Sequence, residues 1–383
     1  MKILILPSHY ITNYNHRNKR IILTYLKNIL TKFEFNFEYA KQFYYLMEHY
    51  HYSHIPKILG EKNTFIIGDY YKDYSRATIP QNTRYPSLHN SPKATHISFK
   101  EAINNLTKFD AVIIGMRSGN EGIELRKIAK KKNVFVAYLD YTDHPDVYRK
   151  SLIENKDLMY RGLDKEKDFN ILFKHDIPIN YEDKNLYSIC PMPINFENYP
   201  KLQNKRFNEK KINISFLGRL HSELQKERSF LADYIETNFN RTYFKRFAIN
   251  DVNRLTLDDY AEIMNDSKII FSPSGKVWDS VRHAEAAIYN CVPLISKPYC
   301  KLANDIRINE NNSIFYKVIL YNNSFQIEDV NSLKEKIDKI LNNQKKYEEI
   351  SSAWSKEMVL KNTLTKRAEY IINIIKKNLN DYK

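Results

Sequence analysis

Residues 268–297, KIIFSPSGKVWDSVRHAEAAIYNCVPLISK, hold the densest set of side chains suited to chemistry. An apolar strand, Ile269–Ser272, runs into a loop of small and polar groups (Ser272, Pro273, Ser274, Gly275, Lys276), and a helix starts near Ser280 with Asp279 or Ser280 as its cap. Free backbone N–H groups in a loop that ends at a helix N-terminus bind anions, and Lys276 and Arg282 would add positive charge. Val281, Ala284 and Ile288 share one helical face, and Arg282 and Glu285, three apart, share another. A carboxylate there can accept hydrogen bonds from a ribose diol, as the acidic residue of dinucleotide folds does. The plainer alternative is an ordinary Arg282–Glu285 surface pair worth a few tenths of a kcal/mol.

Alternating elements must position this segment. Lys2–Leu6, Thr64–Gly68, Asp110–Gly115 and Asn133–Leu139 are continuous apolar runs that predict buried strands. Arg20–Phe33, Ser98–Leu106 and Gly119–Lys131 have helical spacing between them. Strands without polar alternation, separated by helices, imply a parallel sheet covered on both faces. The polar stretch 197–210, with Pro200 and four basic residues, predicts a linker. After it the alternation resumes, with strands at Lys211–Gly218, Tyr243–Ile249, Ser267–Ser272 and Val292–Ser296 and helices at Ser222–Asn238, Thr256–Asn265 and Ser280–Tyr289. Helices at Val330–Leu341 and Tyr347–Asn378 close the chain. The expected architecture is α/β, two doubly wound domains facing a cleft: residues 1–196, a linker at 197–210, residues 211–350, and terminal helices at 351–383 packing back on the first domain.

The chain has 383 residues with 60 Lys+Arg against 45 Asp+Glu, a net charge of +15. Hydrophobic content of 43% and charged content of 27% exclude a disordered chain. No apolar run is long enough for a membrane span, and the N-terminus lacks the pattern of a signal peptide, so the expected location is the cytoplasm. The basic residues fall in separated clusters at 130–132, 201–211, 345–346 and 376–377, with no nucleic-acid-binding motif, so no specific nucleic acid is expected. An anionic membrane surface or an anionic small substrate fits the charge as well. Cys190, Cys291 and Cys300 are widely spaced, which argues against a disulfide framework and a zinc site. Glu48, His49, His51 and His54 lack the spacing of a helical metal site and read as surface residues.

The 267–295 segment resembles the nucleotide-sugar signature of GT-B glycosyltransferases, in their exostosin-like and related family-1-like branch. The matching residues are Ser267, Ser272–Gly275, Trp278, Ser280, Arg282, Glu285, Ala286 and Cys291–Ile295. Ile214–Arg219 (ISFLGR) resembles the first strand of the family's C-terminal domain, and Tyr138–Asp143 with Ile171–Lys174 the end of its N-terminal domain. The likeness covers roughly the last two-thirds of the chain. It implies two Rossmann-like domains and transfer of a sugar from a nucleotide-diphosphate donor to a glycan or lipid-linked acceptor, as in bacterial surface-polysaccharide synthesis. Glu285 would hold the donor ribose, while Arg219, Ser274, Gly275, Lys276 and Arg282 face the diphosphate and Trp278 and Ser280 complete the donor set.

One departure matters. Eight positions before Glu285, where retaining members carry a second acid, stands Val277, so the paired-carboxylate clamp is incomplete and stereochemistry stays open. No Asp-x-Asp motif is present, and neither metal nor other cofactor is expected. An inverting enzyme needs a general base on the N-terminal side of the cleft, for which Asp143 with His144 or Asp140 is the first candidate and His9 the second. The turn-forming residues at 140–146 fit a loop and helix cap equally. Rival readings are a non-catalytic nucleotide- or nucleic-acid-binding protein of the same layout, or a structural partner subunit.

Overall fold

The computed structural model describes residues 1–7, 52–67, 93–115, 118–141, 169–193, 196, 199–219, 226–247, 255–274, 278–321 and 324–382, and the structural statements below concern these. The helix expected at 20–33 lies outside them.

Seven strands build the first sheet: β1 (Ile3–Leu6), β2 (Thr64–Ile67), β3 (Thr95–Ile97), β4 (Ala111–Gly115), β5 (Phe135–Asp140), β6 (Ile171–Lys174) and β7 (Leu186–Ser188). Their order is β3-β2-β1-β4-β5-β6-β7, parallel throughout, with Ile5 opposite Ile113 and Ile113 opposite Ala137. The apolar runs are explained by burial on both faces, because side chains alternate across a strand. Ile3, Ile5, Ile113 and Phe173 join one core, and Leu4, Leu6, Val112, Ile114 and Leu172 join the other. Helix α1 (Ile55–Leu59) packs on the first core, and α2 (Phe99–Asn104) and α3 (Gly119–Lys131) on the second. Ser98 caps α2 by accepting from the Glu101 N–H at 3.1 Å.

The second sheet holds β8 (Ile212–Arg219), β9 (Thr242–Phe247), β10 (Ser267–Phe271), β11 (Val292–Ser296) and β12 (Ile314–Tyr316) in the order β12-β11-β10-β8-β9, again parallel. Helices α4 (Lys226–Asn238) and, after β12, α7 (Val330–Leu341) cover one face through Leu231, Ile235, Leu333 and Ile337. On the other face lie α5 (Leu257–Asn265), α6 (Val281–Ile288) and α8 (Gln344–Lys361), with Tyr260, Met264, Ala284, Trp354 and Met358 inward. A short antiparallel pair, β13 (Val318–Tyr321) and β14 (Ser324–Ile327), was not legible as an apolar run. The expected pair of doubly wound sheets is therefore present.

The single closing helix expected at 347–378 is instead two, α8 and α9 (Leu364–Tyr382). The break is made by Asn362, whose amide donates to the Met192 carbonyl at 3.0 Å and whose Oδ1 accepts from Arg367, and by Thr363, whose hydroxyl caps the Lys366 N–H at 3.1 Å. The expected boundary at 350/351 thus falls inside α8, which stays on the second sheet. The chain crosses over at 362–363, and α9 lays Ala368, Ile371, Ile372 and Ile375 on the first sheet. His54, expected at the surface, is buried beneath it, with Nδ1 2.9 Å from the Thr365 hydroxyl. Among the described residues no helix is long and apolar enough to cross a membrane.

Candidate active site

In the second sheet the connections reverse direction between β8 and β10, and crevices at such switch points, beyond the strands' carboxyl ends, are where doubly wound sheets bind ligands. Arg282, in the first turn of α6, reaches into this crevice. Its Nε donates to the Leu217 carbonyl at 2.6 Å, its Nη1 lies 3.3 Å from the Ser280 hydroxyl, and its guanidinium stands 5.2 Å from the Phe216 ring centroid. Gly218 makes this approach possible: a Cβ there would come within 2.3 Å of Arg282 Nη2 and 2.8 Å of the Phe216 ring. Ser280 does precede α6, yet its side chain does not cap the helix; the hydroxyl serves Arg282 instead.

The loop after β10 is fixed at several points. Ser272 and His283 share a 2.7 Å hydrogen bond, and His283 Nε2 lies 3.0 Å from the Trp278 carbonyl. Because a carbonyl only accepts, Nε2 carries the proton and the Ser272 hydroxyl donates to Nδ1. Burial, assisted by the charges of Arg282 and Arg228 and opposed by Asp279, drives the His283 pKa down to about 4, so the ring is neutral at pH 7. Trp278, expected among the donor-facing groups, is fully enclosed, with its indole N–H on the Ser296 carbonyl at 2.8 Å and its ring against His283. Trp278 therefore props the loop from beneath. The Ser274 hydroxyl lies 2.5 Å from that of Ser296, and the Ser274 carbonyl accepts from Arg228 Nε. Gly275, Lys276, Asp143, His144 and His9 lie outside the described residues, as does the side chain of Arg219, whose backbone ends β8.

Arg228, on α4, is a member of this site that sequence reasoning missed. Burial, and then the charge of Arg282, lower its pKa to about 10. Two guanidinium groups are thus held close enough to disfavour one another, an arrangement that an anion between them would relieve. The sequence signal was slight: a Glu-Arg pair at the start of a helix that follows β8.

Two of the expected site residues lie in the interior. Glu285 is fully buried, with Oε1 accepting from Tyr199 at 3.0 Å and Oε2 from Tyr260 at 2.5 Å. Asp140 does stand at the carboxyl end of β5, but it is wholly buried in an ion pair with Lys174 at 3.2 Å and cannot reach an acceptor hydroxyl as a base.

The two sheets meet beside this crevice. Lys301 N–H donates to the Ile177 carbonyl at 2.8 Å and Ala303 N–H to Cys190 at 2.6 Å, while Arg367 of α9 donates to the Ile189 and Pro191 carbonyls. His175, which follows β6, bonds Asp279 through Nε2 at 2.8 Å, and the same carboxylate oxygen accepts from the Met192 N–H at 2.6 Å. Burial raises the Asp279 pKa, but the His175 hydrogen bond and charge, with His283 and Met192, outweigh it and leave the carboxyl below its usual range.

No known protein family and no curated protein matches the chain in sequence. Solved structures of similar layout include Alr3699/HepE of Anabaena in complex with UDP, at 9% identity over 98% of this chain and 100% of that one with a TM-score of 0.49. A glycosyltransferase from Rickettsia africae ESF-5 aligns at 13% identity over 99% of both chains, TM-score 0.48. TarM aligns at 14% identity over 72% of this chain, TM-score 0.40, and this chain spans only 58% of its length. At such identities the likeness is one of layout and not of side chains.

Proposed function

We propose that this chain is a metal-independent GT-B glycosyltransferase that moves a sugar from a nucleotide-diphosphate donor to a glycan or lipid-linked acceptor. The observation that carries the reading is the placement of two guanidiniums at the β8/β10 switch point, Arg282 on the Leu217 carbonyl against Gly218 and Arg228 on the Ser274 carbonyl. A diphosphate is the ligand class that two guanidiniums in a crevice suit best, since each can bind oxygens through paired N–H groups. Arg282 and Arg228 would stabilise the charge that grows on the leaving diphosphate, and Arg219 and Lys276, which flank them in sequence, would add to it. Ser274, Gly275 and Ser280 would supply hydrogen bonds from the loop and the helix start.

With Asp140 sealed in its ion pair, Asp143, His144 and His9 are the residues proposed for the base that takes the acceptor proton. In sequence, Asp143 and His144 follow β5 and His9 follows β1. A role in bacterial surface-polysaccharide assembly, with the net +15 charge holding the protein against an anionic membrane, completes the proposal.

The test is a thermal-shift panel of UDP, GDP, CMP, TDP and ADP on the full chain and on Arg282→Met, followed by assay of the matching sugar nucleotides. A ligand at about 100 times its Kd stabilises by about 2.7 kcal/mol, a shift of a few degrees. One diphosphate should shift the parent and not the variant, and its sugar derivative should be turned over. No shift with any nucleotide would sink the donor site; binding without turnover would make the chain a nucleotide-binding protein.

A further inference from the structure

Cys190, Cys300, His175 and Asp279 are the chemically reactive groups that the transfer reaction leaves unused, and the fold gathers them in one place. Cys190 follows β7 and His175 follows β6, both in the first half, while Asp279 precedes α6 and Cys300 follows β11, both in the second. One ligand atom each from His175, Cys190 and Asp279 lies within 4.8 Å of the other two. Cys300 adds a second sulfur, 3.5 Å from that of Cys190. Two thiolates on one tetrahedral zinc ion, with Zn–S bonds of about 2.3 Å, stand about 3.8 Å apart, close to the spacing found here. Both cysteines are free thiols.

Three further features point to a cation. Asp279 is nearly closed off from solvent, at 4% side-chain exposure, and while its Oδ2 takes His175 and Met192, its Oδ1 is buried with no hydrogen-bond partner among the described residues. An orphaned carboxylate oxygen in such a place is costly unless something electropositive reaches it. The donor set of two sulfurs, an imidazole and a carboxylate is that of a borderline-soft divalent ion held by four protein ligands. The charge also closes: Arg367, buried beside Cys190, offsets Asp279, and a divalent ion would be offset by two thiolates.

We propose that His175, Cys190, Asp279 and Cys300 form a structural binding site for a zinc-class divalent cation that clasps the two halves of the molecule together. Binding replaces the two S–H bonds by metal–thiolate bonds and releases two protons. His175, Cys190 and Cys300 are buried and the Asp279 side chain is nearly so, and four protein ligands would leave no open coordination position for a substrate, so the ion's part would be to fix the domain seam and not to carry the transfer. The proposal is independent of the donor reading. Spacing along the chain gave no hint of it, because Cys190 and Cys300 are 110 residues apart.

The experiment begins with the full chain purified without chelator and its metal content measured by mass spectrometry. The chain is then stripped and reloaded with Zn²⁺ or Co²⁺ alone. About one equivalent per chain is expected, with a thiolate-to-cobalt charge-transfer band and a higher Tm on reloading. Cys300→Ser should weaken the band and the Cys190→Ser/Cys300→Ser pair should abolish it. If the double variant does not fold, the band on the parent chain still decides. A folded parent that takes up neither metal overturns the proposal. So does a band that survives in the folded double variant, or an intact mass two hydrogens lighter that reductant restores, which would mean a disulfide instead.

Discussion

The carboxyl edges of the two sheets handle buried charge in opposite ways. At the first, Asp140 and Lys174 sit opposite one another on adjacent strands, fully enclosed, and each cancels the other. At the second, Arg228 and Arg282 approach as like charges around Ser274 and Leu217. A neutralised pair is complete as it stands and holds the fold. Two cations held near one another at a switch point favour an anion there, and for that reason the second edge, and not the first, is proposed as the donor site.

The largest test of this contrast is to break the closed pair. Lys174→Met removes the ion-pair partner of the buried Asp140 and should cost about 3–5 kcal/mol in urea unfolding, whereas Asp140→Asn with Lys174→Met should recover most of it. If the double variant is no better than the single, the pair does not act as a unit.

Next comes the neutral histidine beneath the loop. The His283 pKa in the fold, about 4, lies below that of the unfolded chain, so the unfolded state binds the extra proton first. Its stabilising effect is therefore fully present above about pH 6.5 and falls as the pH drops toward 4, by about 3 kcal/mol in all. His283→Gln should flatten the stability profile across that window; an unchanged slope would show that the ring is not held neutral.

Glu285→Gln separates the two edges from the interior. It weakens the charge-assisted bonds from Tyr199 and Tyr260 and should cost about 1–3 kcal/mol while leaving nucleotide affinity as it was. A loss of affinity would return Glu285 to the ribose. The smallest effect is expected at the exposed Lys317–Glu328 pair, where Lys317→Ala should change stability by no more than about 1 kcal/mol and so sets the baseline for a surface charge.

What the sequence made legible follows from the range of the forces involved. Apolar runs such as Ile3–Leu6 and Val292–Ser296 state their own burial, so the alternation of strands and helices could be read directly. Arg282 stood out in the sequence because it sits at a helix start beside a small-residue loop. For Glu285, spacing of three puts it on one face with Arg282 without saying how deep that face runs. A rise of about 1.5 Å per residue carries position 285 nearly a turn away from the crevice, toward Tyr199 and Tyr260. Arg228, and the meeting of His175 with Asp279 across 104 residues, depend on how the sheets are placed, which no local pattern encodes.

The most direct measurement is calorimetric titration of the best nucleoside diphosphate, and of its nucleoside, into the parent chain, Arg228→Met and Arg282→Met. The account predicts binding that needs the diphosphate, weakens with salt, and falls at least about tenfold in each variant, a change of about 1.4 kcal/mol, with both variants still folded in the absence of ligand. Equal affinity for the nucleoside, or variants that bind as tightly as the parent, would contradict the claim that the two arginines form the donor site.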